Sequence, residues 1–324
     1  MTAPLRPMNL GEILDRTFQI YRSRFLLFVG IRLASPVATL IVLVLSEVGA
    51  ATTLSAPTKA LILHAVSWMP KDWPGSFVHS LGWPLIAYLT SCELLGKSAT
   101  LRAGLGRCRD RWKSWLAFSA ILWAVCSLFP IVFQRMMWAS GLDSWVAFHL
   151  GNGLLFSIGS LLFGLLKWGV ESLFVLGVAL SATVWAVEQL GAAPSLRRGW
   201  ALSKGSWIRV LAAELLRDAL SWILLGSLTL IFVGALNIAL GGHEVGISIY
   251  QLRYKFLLVV APVVSALTGA ILPIALTVIY YDQRIRKEGY DIERMMDAAG
   301  LNATQTPPTD ELPMADNAAG EGRA

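Results

Sequence analysis

Two oppositely charged side chains inside a long apolar run are the residues of this sequence best placed to do chemistry. Lys167 and Glu171 are four positions apart, so on an α-helix they would lie on one face within reach of each other. Ionisable groups at membrane depth are costly and often mark a functional site. The pair therefore predicts either a structural ion pair or a polar site lining a water-filled cavity, and the spacing leaves both interpretations open.

Further charged residues occur at or inside other apolar runs. Glu214, Arg217 and Asp218 lie at the start of one such run, where they could form an ion-pair network at the membrane interface or part of a polar site. Arg32 lies about two helical turns into the first apolar run, and its long side chain could extend back toward water. With the first pair, these four residues make up the candidate intramembrane polar site.

The familiar signatures of enzymatic chemistry and metal binding are missing from the sequence. It contains no phosphate-binding Walker loop, no HExxH zinc motif and no GxSxG nucleophile elbow. Its four histidines are scattered, and its three cysteines form no CxxC pair that would hold a metal ion. We therefore expect no catalytic residue, no metal and no cofactor.

The composition indicates a lipid environment for much of the chain. Of 324 residues, 55% are hydrophobic and 15% are charged, and the mean hydropathy is +0.60. A soluble domain carries about 25% charged residues, and several apolar runs here reach the roughly 20 residues that cross a bilayer core. The sequence predicts an all-α integral membrane protein with six transmembrane helices, at residues 25–46, 77–95, 115–133, 154–187, 219–240 and 256–280.

Three of these runs are irregular. Residues 154–187 are too many for one upright span at about 1.5 Å per residue, so they could form one tilted helix or a helix broken near Gly164 or Gly169. Pro84 should interrupt the second span, and Pro262 and Pro273 should kink the sixth.

Basic residues are distributed unevenly about the predicted spans. Eighteen lysines and arginines lie in the N-terminal segment, the even-numbered loops and the C-terminal segment, against five on the opposite side. This bias predicts that both termini are cytoplasmic. The net charge of +6 then reflects orientation in the membrane, and we expect no nucleic-acid partner.

An internal repeat relates two parts of the chain. Seven identities, each separated by 95 positions, pair Glu93, Leu95, Gly96, Leu101, Arg102, Gly104 and Trp112 with Glu188, Leu190, Gly191, Leu196, Arg197, Gly199 and Trp207. The repeat predicts a membrane domain at residues 1–300 built from three units, at about 9–97, 98–192 and 193–296. The polar, acidic, proline-containing residues 301–324 should form a disordered tail.

Each unit should begin with an amphipathic helix lying on the membrane surface, followed by a transmembrane hairpin. Steps of four, three and four residues place apolar side chains on one helix face, and Asn9 with Glu12 fits a helix start. The three stripes are Leu14, Phe18, Tyr21 and Phe25; Leu101, Leu105, Cys108 and Trp112; and Leu196, Trp200, Ser203 and Trp207. Basic residues flank the stripes and are candidate contacts for anionic lipid: Arg16, Arg22, Arg24, Arg102, Arg107, Arg109, Arg111, Arg197, Arg198 and Lys204.

Motifs at both ends of this region resemble those of a bacterial membrane-protein family. The first is PMNLGEILDRTF at residues 7–18, followed by Tyr21, Arg22 and Phe25, and the second is ALTVIYYD at residues 275–282, followed by Arg284, Arg286, Lys287, Glu288 and Gly289. They resemble the membrane domain often attached to glycerophosphoryl diester phosphodiesterases. The resemblance implies six spans in a bacterial cytoplasmic membrane. It implies no catalytic residue, because the chain has no His–Arg–Gly run and no room for the catalytic barrel.

Three functions fit these observations. The first is a non-enzymatic module that organises anionic membrane lipids or partner proteins at the inner leaflet. The second is a transporter or pore with a polar site near Lys167 and Glu171. The third is an intramembrane enzyme acting on lipid phosphodiesters, which would need carboxylates or histidines converging at one depth. The missing motifs favour the first.

Overall fold

The chain folds into helices. A computed structural model describes residues 6–51, 73–97, 100–128, 175–239 and 246–298, with isolated positions between 132 and 173. Within that part of the chain every regular element is helical, which confirms the predicted all-α class. The elements are α1 (Leu10–Ser23), α2 (Phe25–Ala51), α3 (Trp73–Leu94), α4 (Leu101–Asp110), α5 (Trp112–Trp123) with a π-helical turn at Ala124–Leu128, α6 (Ser181–Glu188), α7 (Ala192–Ser203), α8 (Trp207–Ala239), α9 (Gly246–Thr268), α10 (Ile271–Glu288) and α11 (Tyr290–Ala298). The predicted tail, residues 301–324, lies outside the described residues.

Two helical segments of the described residues are long and apolar enough to cross a bilayer, Trp207–Ala239 and Val259–Glu288. A third arises if α1 and the first part of α2, which meet at 85°, count as one bent span. The most apolar window of Trp207–Ala239 contains no buried residue, as expected for a helix that faces lipid. These helices indicate a membrane protein.

Two central helices carry most of the core. In α10, every residue from Ile271 to Gln283 is buried, and a helix that is covered on all sides must lie inside a bundle. It packs against α1, α8 and α3. In turn, α3 contacts α2, α5 and α6 and contributes Ile86 and Leu89 to the same core. The surface helices α1, α4 and α7 are therefore attached to a fixed central pair.

The predicted stripes do not each lie on one helix. Phe25, Trp112 and Trp207 were expected on the surface helices, but each begins the helix that follows. Arg24, with φ −132° and ψ 36°, and Arg111, with φ −122° and ψ 35°, leave the helical conformation and turn the chain. The fourth stripe residue therefore lies at the entrance of the next helix.

The interruption predicted at Pro84 is wrong, because Pro84 lies inside the continuous helix α3. Pro262 lies inside α9, and the kink expected there stays a prediction. The chain breaks at Gly269–Ala270, so that Pro273 falls in the first turn of α10. Proline is tolerated there because a first-turn N–H has no acceptor within its own helix.

Candidate functional site

The surface helices α1, α4 and α7 meet the C-terminal ends of α3, α6 and α10 at one end of the bundle, here named the basic end. Most of the predicted lipid-contacting residues lie in these helices or just after them. The pieces of chain are far apart in sequence, so side-chain contacts between them decide how the surface is arranged.

The start of α1 is fixed by a reciprocal cap. The side chain of Asn9 accepts the Glu12 backbone N–H at 2.9 Å, and Glu12 accepts the Asn9 N–H at 2.9 Å. This confirms the predicted capping box. The Asn9 N–H and the Arg6 guanidinium, 2.5 Å away, hold the pKa of Glu12 below its ordinary value.

Glycines let α4 and α7 approach the helices that support them. A Cβ at Gly104 would lie 2.7 Å from Leu85 of α3, and one at Gly199 would lie 2.6 Å from the Cα of Ser181 in α6. Both distances are below normal contact. A side chain at Gly199 would meet the backbone of Ser181, so α7 would have to move away from α6, whereas at Gly104 the Leu85 side chain would have to shift. Gly104 and Gly199 are one of the repeat pairs, and in both copies this glycine marks a close helix contact.

Each surface helix leaves apolar side chains uncovered. The third stripe positions of α4 and α7, Cys108 and Ser203, are buried against the protein, and Tyr21 of α1 is half-buried. Most of the other positions are exposed, together with neighbouring residues at the start of the following helix. The exposed set is Phe18, Phe25 and Leu26; Leu101, Leu105 and Trp112; and Trp200, Trp207 and Ile208. Three separate apolar patches therefore face outward at the basic end.

Two arginines at the breaks hold the ends of neighbouring helices. Arg24 forms an ion pair with Glu93 in the last turn of α3, with 2.9 Å between Nε and Oε2. Arg111 donates to the backbone carbonyls of Gln189 and Leu190, just beyond α6. Unpaired carbonyls at a helix C-terminus favour a cation. In both places the arginine joins the end of a surface helix to the C-terminal end of a helix in the core, α3 or α6.

The buried carboxylate of Asp282 makes the most connections at the basic end. It is 0% exposed and accepts the backbone N–H of Met8 at 2.8 Å. Arg209 of α8 contacts Oδ2 at 2.6 Å, and Arg286 contacts both oxygens at 3.0 and 2.9 Å. Arg286 also donates to the Met8 carbonyl at 2.8 Å. Asp282 therefore joins the segment before α1 to α8 and α10.

A second network surrounds Glu188. This residue pairs with Arg198 of α7 and accepts the hydroxyl of Tyr280 at 2.7 Å. Arg198 also contacts Glu288 at 2.9 Å, and Glu288 pairs with Arg284 at 3.0 Å. Burial lowers the pKa of Arg198, but the two carboxylates outweigh burial and raise it. The Arg198 guanidinium therefore binds two carboxylates of the protein, those of Glu188 and Glu288.

Lys287 caps the C-terminal end of α7. Its ammonium donates to the carbonyls of Ala201, Leu202 and Lys204 at 3.2, 3.0 and 2.6 Å. These carbonyls lie at the negative end of the helix dipole and lack partners within their helix. Lys287 therefore ties α7 to α10.

The predicted lipid contacts divide into two groups. Arg24, Arg111 and Arg198 bind other parts of the protein, as described above. Arg16 donates to Gln19 at 3.2 Å within α1, and Arg107 lies 5.0 Å from the centre of the Tyr88 ring. The remaining candidates are exposed and form no ion pair with any residue the structure describes: Arg22, Arg102, Arg109, Arg197 and Lys204.

The structure describes four of the six residues of the candidate polar site. Arg217 lies 3.0 Å from Asp218 and 4.0 Å from Glu214, all in α8. Arg32 is 2% exposed, and Arg217 acts on it with a like charge. Lys167 and Glu171 lie outside the described residues.

Sequence reasoning did not select Asp282, Glu93 or Glu188 as important residues. Glu93 and Glu188 had a signal, because they are one of the repeat pairs, but Asp282 had none beyond its place in the closing motif. Among the residues the structure describes, no group of histidines, cysteines and carboxylates could hold a metal ion.

Comparisons with known proteins do not identify a relative: no family model, no curated protein and no solved structure matches the chain.

Proposed function

We propose that this chain is a six-span protein of a bacterial cytoplasmic membrane, with both termini and the basic end in the cytoplasm. Its basic end organises anionic lipids, or partner proteins that share them, at the inner leaflet, and it carries out no catalysis. The observation that supports this proposal is the pairing of exposed apolar side chains with exposed cations on the surface helices.

The apolar patches favour the headgroup region of a bilayer over water. Trp112 is 53% exposed and Trp200 is 49% exposed. Removing apolar surface from water stabilises by about 25 cal/mol per Å², and indole rings favour the headgroup level. A helix with such a face lies in the membrane surface with its apolar side inserted.

The exposed cations should make the surface helices prefer anionic lipid headgroups over neutral ones. Arg102, Arg109 and Arg197 flank the patches on α4 and α7. A basic residue near an anionic leaflet contributes about 1 kcal/mol, screened within about 8 Å at physiological salt. Their joint contribution of about 3 kcal/mol is enough to enrich anionic headgroups beside these helices.

Side-chain hydrogen bonds at the basic end hold the surface helices α4 and α7 at fixed positions. Arg111 ties α4 to the end of α6, and Lys287 ties α7 to α10. Headgroups bound at α4 and α7 would therefore be held at set positions around one bundle, which is what organising lipids requires. The polar site expected for a transporter or pore includes Lys167 and Glu171, outside the described residues, so that alternative stays a prediction.

The test measures lipid selectivity with the full chain reconstituted in bilayers. Spin-labelled phosphatidylglycerol and phosphatidylcholine report the lipid held at the protein surface. We expect a several-fold preference for the anionic lipid that falls as salt is raised. The triple variant Arg102→Gln, Arg109→Gln, Arg197→Gln should remove most of that preference.

The matched control replaces the same three arginines with lysine, which keeps the charge. This variant should retain the preference, because the proposed attraction depends on charge and not on guanidinium geometry. Equal lipid selectivity in the wild type and the glutamine variant would contradict the proposal.

A further inference from the structure

A cavity of about 450 Å³ lies between α2, α3, α5 with its π-helical turn, and α9, away from the basic end. This volume is within the roughly 300–1,000 Å³ of small-molecule sites. Apolar side chains form much of its wall, among them Trp83, Leu122 and Leu257. Leu40, also in the wall, is 43% exposed, so the cavity opens on the outer surface of α2, which faces lipid in a membrane.

Four hydroxyls of the cavity wall are used in contacts within the protein. Ser35 of α2 donates to a backbone carbonyl of α3 at 2.7 Å, and Thr39 donates to a carbonyl of its own helix at 3.4 Å. Ser76 accepts the indole N–H of Trp123 at 2.9 Å. Ser80 donates to two backbone carbonyls, at 2.7 and 3.0 Å. These hydroxyls therefore hold α2, α3 and α5 together.

The imidazole of His79 and the hydroxyl of Ser265 also line the cavity, and neither forms a hydrogen bond with any residue in the described part of the chain. His79 is only part-buried, and neither of its ring nitrogens is sealed inside the protein. A Cβ at Gly269 would lie 3.5 Å from the His79 ring and 2.5 Å from the Ser265 carbonyl, so these two residues are neighbours. A neutral imidazole offers one donor and one acceptor, and a hydroxyl offers both. The pair is therefore the part of the wall best able to recognise a polar group.

Charged residues near the cavity balance one another behind its wall. None of the described lining residues is an arginine, a lysine or an acid. Arg32 donates to the His79 carbonyl at 3.0 Å but is 2% exposed and is not part of the wall. Arg217, which acts on Arg32 as a like charge, lies 3.0 Å from Asp218 and 4.0 Å from Glu214. Two guanidiniums and two carboxylates thus surround the cavity, and a charged ligand would find no accessible counter-ion among the described lining residues.

Three helices are irregular where they line the cavity. Pro36 in α2 and Pro262 in α9 lack an N–H, which leaves a carbonyl one turn earlier without its helix partner. Cys126 lies in the π-helical turn after α5, and such turns are frequent at functional sites. Its thiol is a weak donor on which the Glu214 carboxylate acts. The irregular backbone therefore adds hydrogen-bonding groups to the wall without adding a charge.

We propose that this cavity binds an uncharged single-chain amphiphile, an apolar chain that ends in one hydroxyl. The ligand hydroxyl exchanges hydrogen bonds with His79 and Ser265, and the chain lies against Trp83, Leu122 and Leu257. A hydroxyl fits because it donates and accepts, as its two partners do. A carboxylate or an ammonium would lose its hydration without gaining a charged partner in the wall. This site is separate from the lipid surface at the basic end.

The test uses the full chain in phosphatidylcholine nanodiscs with four radiolabelled probes of equal chain length. Dodecanol carries a hydroxyl, dodecane no polar group, dodecanoate a carboxylate and dodecylammonium an ammonium. Empty nanodiscs measure the partition of each probe into lipid, which is subtracted. We expect dodecanol to bind saturably and both charged probes to bind at least about tenfold more weakly, because their desolvation is not compensated.

Four variants separate recognition of the hydroxyl from the shape of the cavity. His79→Phe keeps an aromatic ring beside Trp83 but removes the ring nitrogens. It should weaken dodecanol binding about three- to tenfold, as expected for one hydrogen bond, and leave dodecane binding unchanged. Ser265→Ala, at an exposed position on α9, should act in the same direction and replaces His79→Phe if that variant does not fold. Ala261→Leu fills part of the cavity and should weaken binding of both probes, whereas Ala235→Leu, exposed on α8, should change neither.

Three results would overturn the proposal. They are the absence of saturable dodecanol binding, a charged probe that binds as tightly as dodecanol, and an equal effect of His79→Phe or Ser265→Ala on dodecanol and dodecane. None of them depends on the lipid preference of the basic end, because the nanodisc lipid carries no net charge.

Discussion

Replacing Asp282 with asparagine should strongly destabilise the protein without changing the shape of the side chain. The carboxylate is fully buried and receives a backbone N–H from Met8 and two guanidinium groups, from Arg209 and Arg286. Asparagine can still accept one hydrogen bond, but it cannot balance two positive charges. The segment before α1 should detach first, because it is held to α10 through Met8.

The loss of stability expected for Asp282→Asn follows from how deeply Asp282, Arg209 and Arg286 are buried. Removing one member of a buried ion pair costs about 3–5 kcal/mol. The Arg209 side chain is 25% exposed and the Arg286 side chain is 37% exposed, so water screens part of the loss. We therefore expect about 3 kcal/mol. At roughly 2–4 °C per kcal/mol for a chain of a few hundred residues, Tm should fall by about 6–12 °C.

Thermal unfolding in detergent, followed by circular dichroism, measures this change. Asp110→Asn is the matched control, because Asp110 is exposed at the end of α4. Its Tm should move by no more than an ordinary surface substitution, within about 0.5 kcal/mol. Adding Arg209→Gln to Asp282→Asn should cost less than the two single changes summed. Equal Tm values for the Asp110 and Asp282 variants would refute the reasoning.

Three further predictions concern the surface helices. Gly199→Ala should lower Tm, because its new Cβ would lie 2.6 Å from the Cα of Ser181. The control Gly106→Ala should leave Tm unchanged, because there is open space around Gly106. Equal Tm values for the two variants would show that α7 can move away from α6. Burial raises the pKa of Cys108 to about 11, so at neutral pH it should react with maleimide more than tenfold slower than a cysteine at Gly106. Comparable rates measured by mass spectrometry would mean that α4 opens readily. The folded pKa of Glu12 lies below its unfolded value, so its stabilisation of α1 is full above the unfolded pKa and is lost as pH falls through the folded pKa. Hydrogen-exchange protection at the start of α1 should fall over that range, and protection that stays unchanged while Glu12 becomes protonated would contradict this.

Local sequence patterns predicted the local structure well. Asn9 and Glu12 indicated the start of α1, because both halves of a capping box lie within four residues. The apolar runs indicated helices, and the long exposed helix α8 fits such a run. Steps of three and four residues identified Leu101 and Leu105 as uncovered residues of α4, but Cys108, on the same predicted stripe, is buried.

Contacts between distant residues could not be predicted in the same way. Asp282 and Met8 are 274 positions apart, and nothing near either residue indicates the other. The ion pair between Arg24 and Glu93 likewise depends on how α1 and α3 pack. The break at Gly269–Ala270 was not predicted, because only Pro262 and Pro273 were expected to bend this span. Whether Lys167 and Glu171 form one site with Arg32 stays a prediction.

The central claim is that the basic end of this membrane protein faces the cytoplasmic leaflet, and cysteine labelling in intact cells tests it most directly. After replacement of the three native cysteines, one variant carries Ala103→Cys, on the exposed face of α4, and another carries Ser140→Cys, in a predicted outer loop. An impermeant maleimide should label the Ser140 variant in intact cells. The Ala103 variant should be labelled only after permeabilisation. Labelling of the Ala103 variant from outside intact cells would contradict the account.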